Sequence, residues 1–294
     1  MRRVLVLRGG ALGDFIVTLP ALAALRLQAP KVRIELAGNA SAAALAVTRG
    51  LIDAVHSQNE ARWAMLYERA SLHADFASWL ASFDVILNFW PDPDADLAHH
   101  FPLHPAQTFL SAPAHPTCAP AAVHYFAPMR ELGISVPSAF YPLAERTAPT
   151  PNCRIAIHPG SGSPQKNWPL ERWLELAAWL RSTYHAELLI ITGEAESTAT
   201  RLTLAPLGTA AHQLPLETLI RELSTCRLFI GHDSGISHLA AACSVLSLLF
   251  FGPTDPIIWA PPAPHVHWLK SSSAVSSITL ASAQTTINSL LAIP

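Results

Sequence analysis

Charged residues are scarce in this chain. Asp, Glu, Lys and Arg together make up only 14% of its 294 residues, and the formal net charge is −2. Proteins that bind nucleic-acid phosphates carry a clear basic excess, so the composition argues against a nucleic-acid partner. Cysteine is also rare: the four cysteines show no CxxC spacing, which argues against a zinc ribbon or a disulfide framework and suits a reducing cytosol.

Long hydrophobic runs are absent as well. The apolar stretch from Val245 to Phe251 is far shorter than the roughly 18 residues needed to span a bilayer. The N-terminal run Val4–Leu7 is broken by Arg8 and followed by glycines and Asp14, so it has neither the apolar core nor the cleavage site of a signal peptide. We expect a soluble, cytoplasmic protein, with peripheral contact with a membrane surface left open.

Hydrophobic side chains, in contrast, make up half of the chain, which suits two domains of ordinary size. Short apolar runs alternate with segments of helical spacing on both sides of the stretch RTAPTPN, Arg146–Asn152, which has linker composition. We predict an α/β protein with Rossmann-like domains over residues 1–148 and 153–275. A C-terminal helix is expected within 276–294, with packing back on the N-terminal domain left open.

The predicted elements follow from the period of the apolar residues. Strands are expected at 4–7, 32–37, 85–89, 155–158, 188–191, 228–230 and 246–250, and helices at 15–28, 40–48, 169–180, 216–226, 235–242 and 278–291. The segment from residue 91 to 120 is rich in Pro, His and Ala and is predicted to be a surface excursion with some helix.

The first motif is RGGALGD, Arg8–Asp14, between a predicted strand and helix. Glycines there let the backbone approach a ligand, and the helix start offers free N–H groups. The dinucleotide fingerprint GxGxxG would need a further glycine where Arg8 stands, so a nicotinamide site is disfavoured. Asp14 is a candidate site residue, and a helix N-cap is the purely structural alternative.

Two further motifs follow strands of the second domain. HPGSGSPQKNWP, His158–Pro169, combines glycines, serines and Lys166 ahead of a helix, which suits phosphate oxygens, although Lys166 is equally compatible with a solvated loop lysine. TGEAE, Thr192–Glu196, offers a carboxylate to a ribose or sugar hydroxyl. The alternative is that its glutamates are first-turn charges of a helix.

The most specific motif is GHDSGISHLAAA, Gly231–Ala242, followed by FFGPTDP, Phe250–Pro256, which closes the next strand with a rigid turn. A helix that starts near Gly235 directs backbone N–H groups outward, as a diphosphate site without a metal requires. For Asp233 the structural alternative is a helix N-cap, and for His238 it is a buried, hydrogen-bonded histidine.

In order and spacing, these segments resemble the ADP-heptose:lipopolysaccharide heptosyltransferases, glycosyltransferase family 9. The resemblance is strong over the first 30 residues and over residues 154–259, and it is faint from about Asn59 to Ser138. It implies a GT-B fold, in which two Rossmann-like domains face each other across a cleft. The N-terminal domain would hold the acceptor and the C-terminal domain the donor, with the sugar transferred with inversion.

The resemblance also implies roles for individual residues. Asp14 matches the general base and Lys166 a lysine on the donor phosphates. The remaining donor-binding candidates are Gly13, Ser161, Gly162, Ser163, Glu194 or Glu196, Asp233, Ser234, Gly235 and His238. The implied partners are an ADP-sugar and a lipopolysaccharide-core or related glycan or glycolipid acceptor at the inner face of a bacterial inner membrane. Neither a cofactor nor a metal is expected.

Two departures concern the acceptor side. Between Leu51 and Ser138 the only basic residues besides histidines are Arg62, Arg69 and Arg130, although lipopolysaccharide acceptors carry acidic groups. Five histidines lie among prolines without the spacing of metal ligands: His99, His100, His104, His115 and His124. The alternatives are therefore a different nucleotide sugar or acceptor on the same fold, or a catalytically silent protein that binds a nucleotide sugar.

Overall fold

The computed structural model describes residues 1–145, 153–272 and 274–292. The chain divides into two compact units, Met1–Tyr141 and Pro142–Pro294, each with its own parallel sheet. The division falls before residue 148, the predicted end of the first domain, and the predicted linker Arg146–Asn152 lies outside the described residues.

The first unit is built on a five-stranded sheet with strand order β3-β2-β1-β4-β5. Every neighbouring pair is parallel, so all strands end at the same edge. The apolar run Val4–Leu7 lies in the central strand and is fully buried, as expected of a strand covered on both faces. The elements are β1 Arg3–Arg8, α1 Leu12–Ile16, α2 Leu19–Gln28, β2 Arg33–Gly38, α3 Ala40–Val47, β3 Ala54–Ser57, α4 Ala74–Ala81, β4 Val85–Asn88, β5 Thr108–Ser111, α5 Ala121–His124 and α6 Ala127–Glu131.

Two predictions for this unit need correction. The helix predicted over 15–28 is two helices, because α1 ends at Ile16 and α2 begins at Leu19 with Pro20 in its first turn. Proline lacks an N–H and its ring clashes with the preceding turn, which disfavours one continuous helix and suits Pro20 to the first turn of a new one. The excursion predicted over 91–120 contains a strand, β5, which pairs with β4.

The second unit is built on a six-stranded parallel sheet with strand order β11-β10-β9-β6-β7-β8. Trp173 and Phe250 are fully buried in its core, and Ile287 and Leu290 of the terminal helix belong to the same cluster. The terminal helix is therefore part of the second unit. The elements are β6 Arg154–Ile157, α7 Leu170–Tyr184, β7 Glu187–Thr192, α8 Thr198–Leu204, β8 Thr209–His212, α9 Leu216–Ser224, β9 Leu228–His232, α10 Gly235–Ala242, β10 Ser247–Phe251, α11 Pro256–Trp259, β11 Val266–Lys270 and α12 Leu280–Leu291.

Candidate functional site

The motifs of the second unit follow four neighbouring strands. In the sheet, β6 lies between β9 and β7, and β10 is the next neighbour of β9. The strands are parallel, so the loops after them meet at one edge, which we call the carboxyl edge. Ligands of α/β proteins bind at this edge of the sheet.

Lys166 and Asp233 form an ion pair at the carboxyl edge. Lys166 Nζ donates to Asp233 Oδ2 at 2.6 Å, and Thr254 Oγ1 donates to the same oxygen at 2.8 Å. The Asp233 side chain is 9% exposed, and that of Lys166 is 28% exposed. Lys166 is therefore not a freely solvated lysine. Thr254 lies in the FGPTDP turn, and its contact with Asp233 was not predicted from the sequence.

The helix α10 starts beside this pair. Its N-cap is Ser234, whose Oγ accepts from Ser237 N at 3.4 Å, so Asp233 does not cap the helix. Gly235 is the first helical residue, and the first N–H groups of a helix have no partner within it. His238 follows in the first turn and is buried. The helix start thus presents N–H donors and a partial positive charge close to Lys166.

The two glutamates of TGEAE have different environments. Glu194 is exposed, whereas Glu196 is buried with its side chain 3% exposed. Glu196 Oε2 accepts from Gly193 N at 2.6 Å, but Oε1 is buried without a hydrogen-bond partner. Neither glutamate lies in the first turn of α8, which Ser197 caps. A first-turn helix charge therefore does not explain them, and Glu196 is the one oriented into the protein.

The loop after β6 is held by its own side chains. Ser161 is buried, and its Oγ lies 2.8 Å from Ser163 O and 2.7 Å from Asn167 Oδ1. Trp168 N donates to His232 Nε2 at 2.8 Å, which fixes the end of the loop to β9. A Cβ added at Gly162 would meet nothing within 4 Å, so this part of the loop borders open space.

His158 begins the same loop, and its motif does not indicate a role for it. Its Nδ1 lies 3.3 Å from Ser234 Oγ, and its Nε2 lies 3.7 Å from Glu196 Oε1. Burial lowers the pKa of His158 to about 4, so the imidazole is neutral near pH 7. The sequence indicates that His158 lies near the site, because it is the last residue of a predicted buried strand.

Asp14 and Gly13 lie in α1 of the first unit. Asp14 Oδ2 accepts from Ala11 N at 2.9 Å, while the buried Arg8 donates through Nη2 to the backbone oxygen of Asp14 at 2.7 Å. The N-cap is Ala11, so Asp14 supports the turn from the third helical position instead. Its side chain is 36% exposed and therefore also open to a substrate.

Two of the cavities in the described residues lie at the ends of strands that carry these loops. One, of about 270 Å³, lies between β7, β8 and α8 and is open to solvent, and its polar lining includes Thr192, Arg201 and His212. The other, of about 520 Å³, lies in the first unit beside Trp90 and His115. Among the described residues, no group of three or more His, Cys, Asp or Glu side chains could hold a metal ion. In the same residues, no helix is long and apolar enough to cross a membrane.

The sequence comparisons assign the family. The model of glycosyltransferase family 9 (heptosyltransferase) matches residues 120–285, more than half of the 294 residues. The chain belongs to glycosyltransferase family 9. Lipopolysaccharide heptosyltransferase 1 of Pseudomonas aeruginosa is 34% identical to it over 93 residues, which are 31% of this chain and 26% of that protein. The aligned part thus spans only about a quarter of that relative. The family predicted from the motifs is confirmed, and with it the class of enzyme, a glycosyltransferase.

Solved structures of family members share the fold. A family 9 glycosyltransferase of Veillonella parvula superposes with a TM-score of 0.78 at 17% identity, covering 100% of this chain and 98% of that chain. The E. coli heptosyltransferase WaaC, solved with ADP, gives a TM-score of 0.74 at 18% identity, covering 98% and 99%. The predicted α/β fold of the GT-B type, with two parallel sheets, is confirmed.

Proposed function

We propose that this glycosyltransferase moves a heptose or a similar sugar from an ADP-sugar to a lipopolysaccharide-core or related glycan acceptor, with inversion. The observation that carries the proposal is the Lys166–Asp233 pair beside the start of α10, at the edge where α/β proteins bind ligands. The ADP in the WaaC structure and the heptosyltransferase description of the family support this choice of donor.

In the proposed reaction, the acceptor hydroxyl attacks the anomeric carbon while the bond from that carbon to the diphosphate oxygen breaks. The transition state has oxocarbenium character, and negative charge develops on the departing ADP. Lys166 and the N–H groups at Gly235 are preorganised to stabilise that charge without a metal. Asp14 takes the proton of the acceptor hydroxyl.

The nucleoside belongs, in this proposal, next to Glu196. Glu196 Oε1 is buried without a hydrogen-bond partner, and an orphaned buried oxygen is a rare feature that points to a functional role for this carboxylate. Glu194 is exposed and has no comparable position, so we assign the role to Glu196. A cavity of about 270 Å³ is lined by Thr192, the last residue of the strand that precedes the loop of Glu196.

The acceptor is proposed to be a glycan or glycolipid, with the cytoplasmic face of the inner membrane as the place of reaction. Between Leu51 and Ser138 the first unit has few cations to offer an acidic acceptor. Arg62 lies over the rings of Trp63 and Trp79, and Arg69 pairs with Asp96 at 2.5 Å. A weakly charged region of the acceptor is therefore favoured there over a phosphate cluster.

Calorimetric titration with ADP, UDP and GDP, repeated with EDTA, tests the donor. We expect ADP to bind most tightly, EDTA to have no effect, and Lys166→Ala to weaken ADP binding about 10- to 100-fold, because a charged contact contributes about 1.5–3 kcal/mol. Lys270→Ala is the matched control, since Lys270 also pairs with an aspartate, Asp255, at 3.3 Å. Preference for another diphosphate would exclude ADP-heptose as the donor. ADP binding without turnover would favour a catalytically silent protein.

A further inference from the structure

His158 occupies the middle of the proposed donor site. It follows β6, the strand between β9 and β7, so the loop that begins at Asp233 lies on one side of it and the TGEAE loop on the other. Its two ring nitrogens face these two loops, with Nδ1 at 3.3 Å from Ser234 Oγ and Nε2 at 3.7 Å from Glu196 Oε1. The imidazole of His158 therefore lies between the carboxylate of Glu196 and the hydroxyl of Ser234.

The hydrogen bonds around Ser234 restrict the tautomer of His158. Ser237 Oγ donates its proton to the backbone oxygen of His232, so it cannot donate to Ser234. The Ser234 hydroxyl can then donate either to Ser237 Oγ, at 3.1 Å, or to His158 Nδ1. In the first case His158 carries its proton on Nδ1, and in the second case on Nε2.

The carboxylate of Glu196 decides between the two tautomers. A proton on Nδ1 would leave the lone pair of Nε2 facing the carboxylate, which is repulsive in a buried site. A proton on Nε2 places an N–H dipole toward Oε1, which has no other hydrogen-bond partner. The order is therefore Ser234 hydroxyl to Nδ1, and Nε2–H toward Glu196. The neutral imidazole required for this order agrees with the lowered pKa of His158.

The carboxylate has little freedom to move away from His158. A Cβ on Gly160 would lie 1.5 Å from Glu196 Oε1, so the oxygen fills the space that a side chain would take there. Gly193 N holds the other oxygen at 2.6 Å. Glu196 is thus confined between two glycine backbones and the imidazole.

We propose that His158 is a positioning residue that couples the nucleoside end of the donor site, at Glu196, to its diphosphate end, at Ser234. The inference rests on the proposed function for the identity of the two ends. His158 touches neither the reacting atoms nor the diphosphate in this proposal, and it acts by fixing the carboxylate and the helix start relative to each other.

Coupling of this kind is measured by a double-mutant cycle on ADP affinity. Glu196→Gln, Ser234→Ala and their combination are titrated with ADP in three backgrounds: unchanged, His158→Phe and His124→Phe. The last is the matched control, because His124 is as buried as His158 but lies in α5 of the first unit, where Nε2 bonds the backbone oxygen of Pro113 at 2.6 Å.

We expect the combined loss of affinity in the unchanged background to differ about fivefold or more from the product of the single losses, as for coupled neighbours. The deviation should fall within about twofold in His158→Phe and persist in His124→Phe. A deviation that persists in His158→Phe, or that is absent from the unchanged background, overturns the proposal. Failure of the unchanged protein to bind ADP overturns the proposed function, and the inference with it.

A spectroscopic measurement that needs no nucleotide tests the same geometry. Nitrogen-15 correlation spectra of the imidazoles, assigned with His158→Phe, should show His158 neutral with its proton on Nε2 at pH 7. A proton on Nδ1 contradicts the coupling, because Nε2 could then not donate toward Glu196. Glu196→Gln should shift the Nε2 resonance, whereas Glu194→Gln, at an exposed position, should not.

Discussion

Asp14 illustrates how a single residue combines a structural and a proposed chemical role. Ala11 N holds Oδ2, and Arg8 holds the backbone oxygen, so the position of the carboxylate is fixed from two directions. Gly10 has a φ of +98°, and a Cβ there would lie 2.6 Å from Oδ2. The turn therefore needs glycine, and the glycine leaves the space that the carboxylate fills.

Asparagine at position 14 separates the two roles, because its amide oxygen can still accept from Ala11 N while the negative charge is lost. We expect Asp14→Asn to lower kcat about 10²- to 10⁴-fold, the usual contribution of a general base. ADP affinity should stay within about twofold. Release of ADP from ADP-heptose with a lipopolysaccharide-core acceptor measures kcat, and calorimetry measures ADP affinity. Asp75→Asn, in the first turn of α4, is the control. Equal losses of rate and affinity would make Asp14 structural.

Glu35 is a second residue whose environment allows a prediction, here on how stability depends on pH. Its side chain is buried in β2, where Oε1 accepts from Arg3 and Arg33, and Oε2 faces His56 Nε2 at 2.8 Å. Burial alone would raise the pKa of Glu35, but the hydrogen bonds from Arg33, His56 and Arg3 outweigh burial and lower the pKa to about 2.

A lowered pKa in the folded state means that this carboxylate stabilises the fold above about pH 4.5, its unfolded value, and that the stabilisation is lost as the pH falls toward 2. We expect Glu35→Gln to lower the free energy of unfolding by about 1–3 kcal/mol at pH 7, and the difference to shrink with acidification. Urea unfolding at several pH values measures it. Glu175→Gln, in an exposed pair with Arg172, should follow the pH profile of the unchanged protein. A constant difference for Glu35→Gln would contradict the assigned linkage.

For individual site residues, the sequence predicts only which strand each residue follows. Lys166 and Asp233 each follow a predicted strand, and the parallel sheet brings such positions to one edge. Their direct contact, and that of Thr254 with Asp233, depend on loop conformations that no local pattern specifies. The burial that distinguishes Glu196 from Glu194 is likewise a property of the folded loop.

At the scale of the element, the loop HPGSGS contains two glycines with different surroundings. A Cβ on Gly160 would overlap Glu196 Oε1 at 1.5 Å, whereas a Cβ on Gly162 would meet nothing within 4 Å. Neither glycine has a positive φ, so the difference between them is one of space and not of backbone strain.

Alanine at the two positions should therefore have different effects. We expect Gly160→Ala to lower Tm by several degrees, because overpacking a closed site destabilises by about 1–3 kcal/mol. Gly162→Ala should leave Tm nearly unchanged. Adding Glu196→Ala to Gly160→Ala removes the overlapping oxygen and should recover part of the loss. If Glu196→Ala and Gly160→Ala lower Tm additively, the predicted overlap does not exist. Differential scanning calorimetry of the four variants decides.

The elements themselves were predictable where the apolar run is continuous. Both central strands, β1 and β6, and the long helix α7 follow from their patterns. The strands that were missed are short, and several carry polar residues: AVHS in β3, TFLS in β5, TAAH in β8 and VHWLK in β11. All four lie at the edges of their sheets, where one neighbour is absent and burial is incomplete, so the apolar signal is weak.

At the scale of the whole molecule, each unit has a core and a parallel sheet of its own. Every residue proposed to hold ADP, apart from Gly13, belongs to the second unit. A ligand stabilises the state that binds it by mass action, and local stability differs between regions of one protein. ADP alone should therefore suppress local opening more strongly in the second unit than in the first.

Hydrogen exchange of the full chain with and without ADP tests this expectation. We expect slower exchange in the loops at 158–168, 193–197 and 233–238, because ordering of the phosphate and nucleoside contacts suppresses local opening. The turn from Gly9 to Asp14, which offers only Gly13 to the donor, should gain less protection from ADP than these loops and gain more when an acceptor is added. Lys166→Ala should remove the protection at 158–168 at the same ADP concentration, whereas Lys270→Ala should keep it. Protection by ADP that is confined to the first unit would contradict our proposal, which places the nucleotide on the second unit.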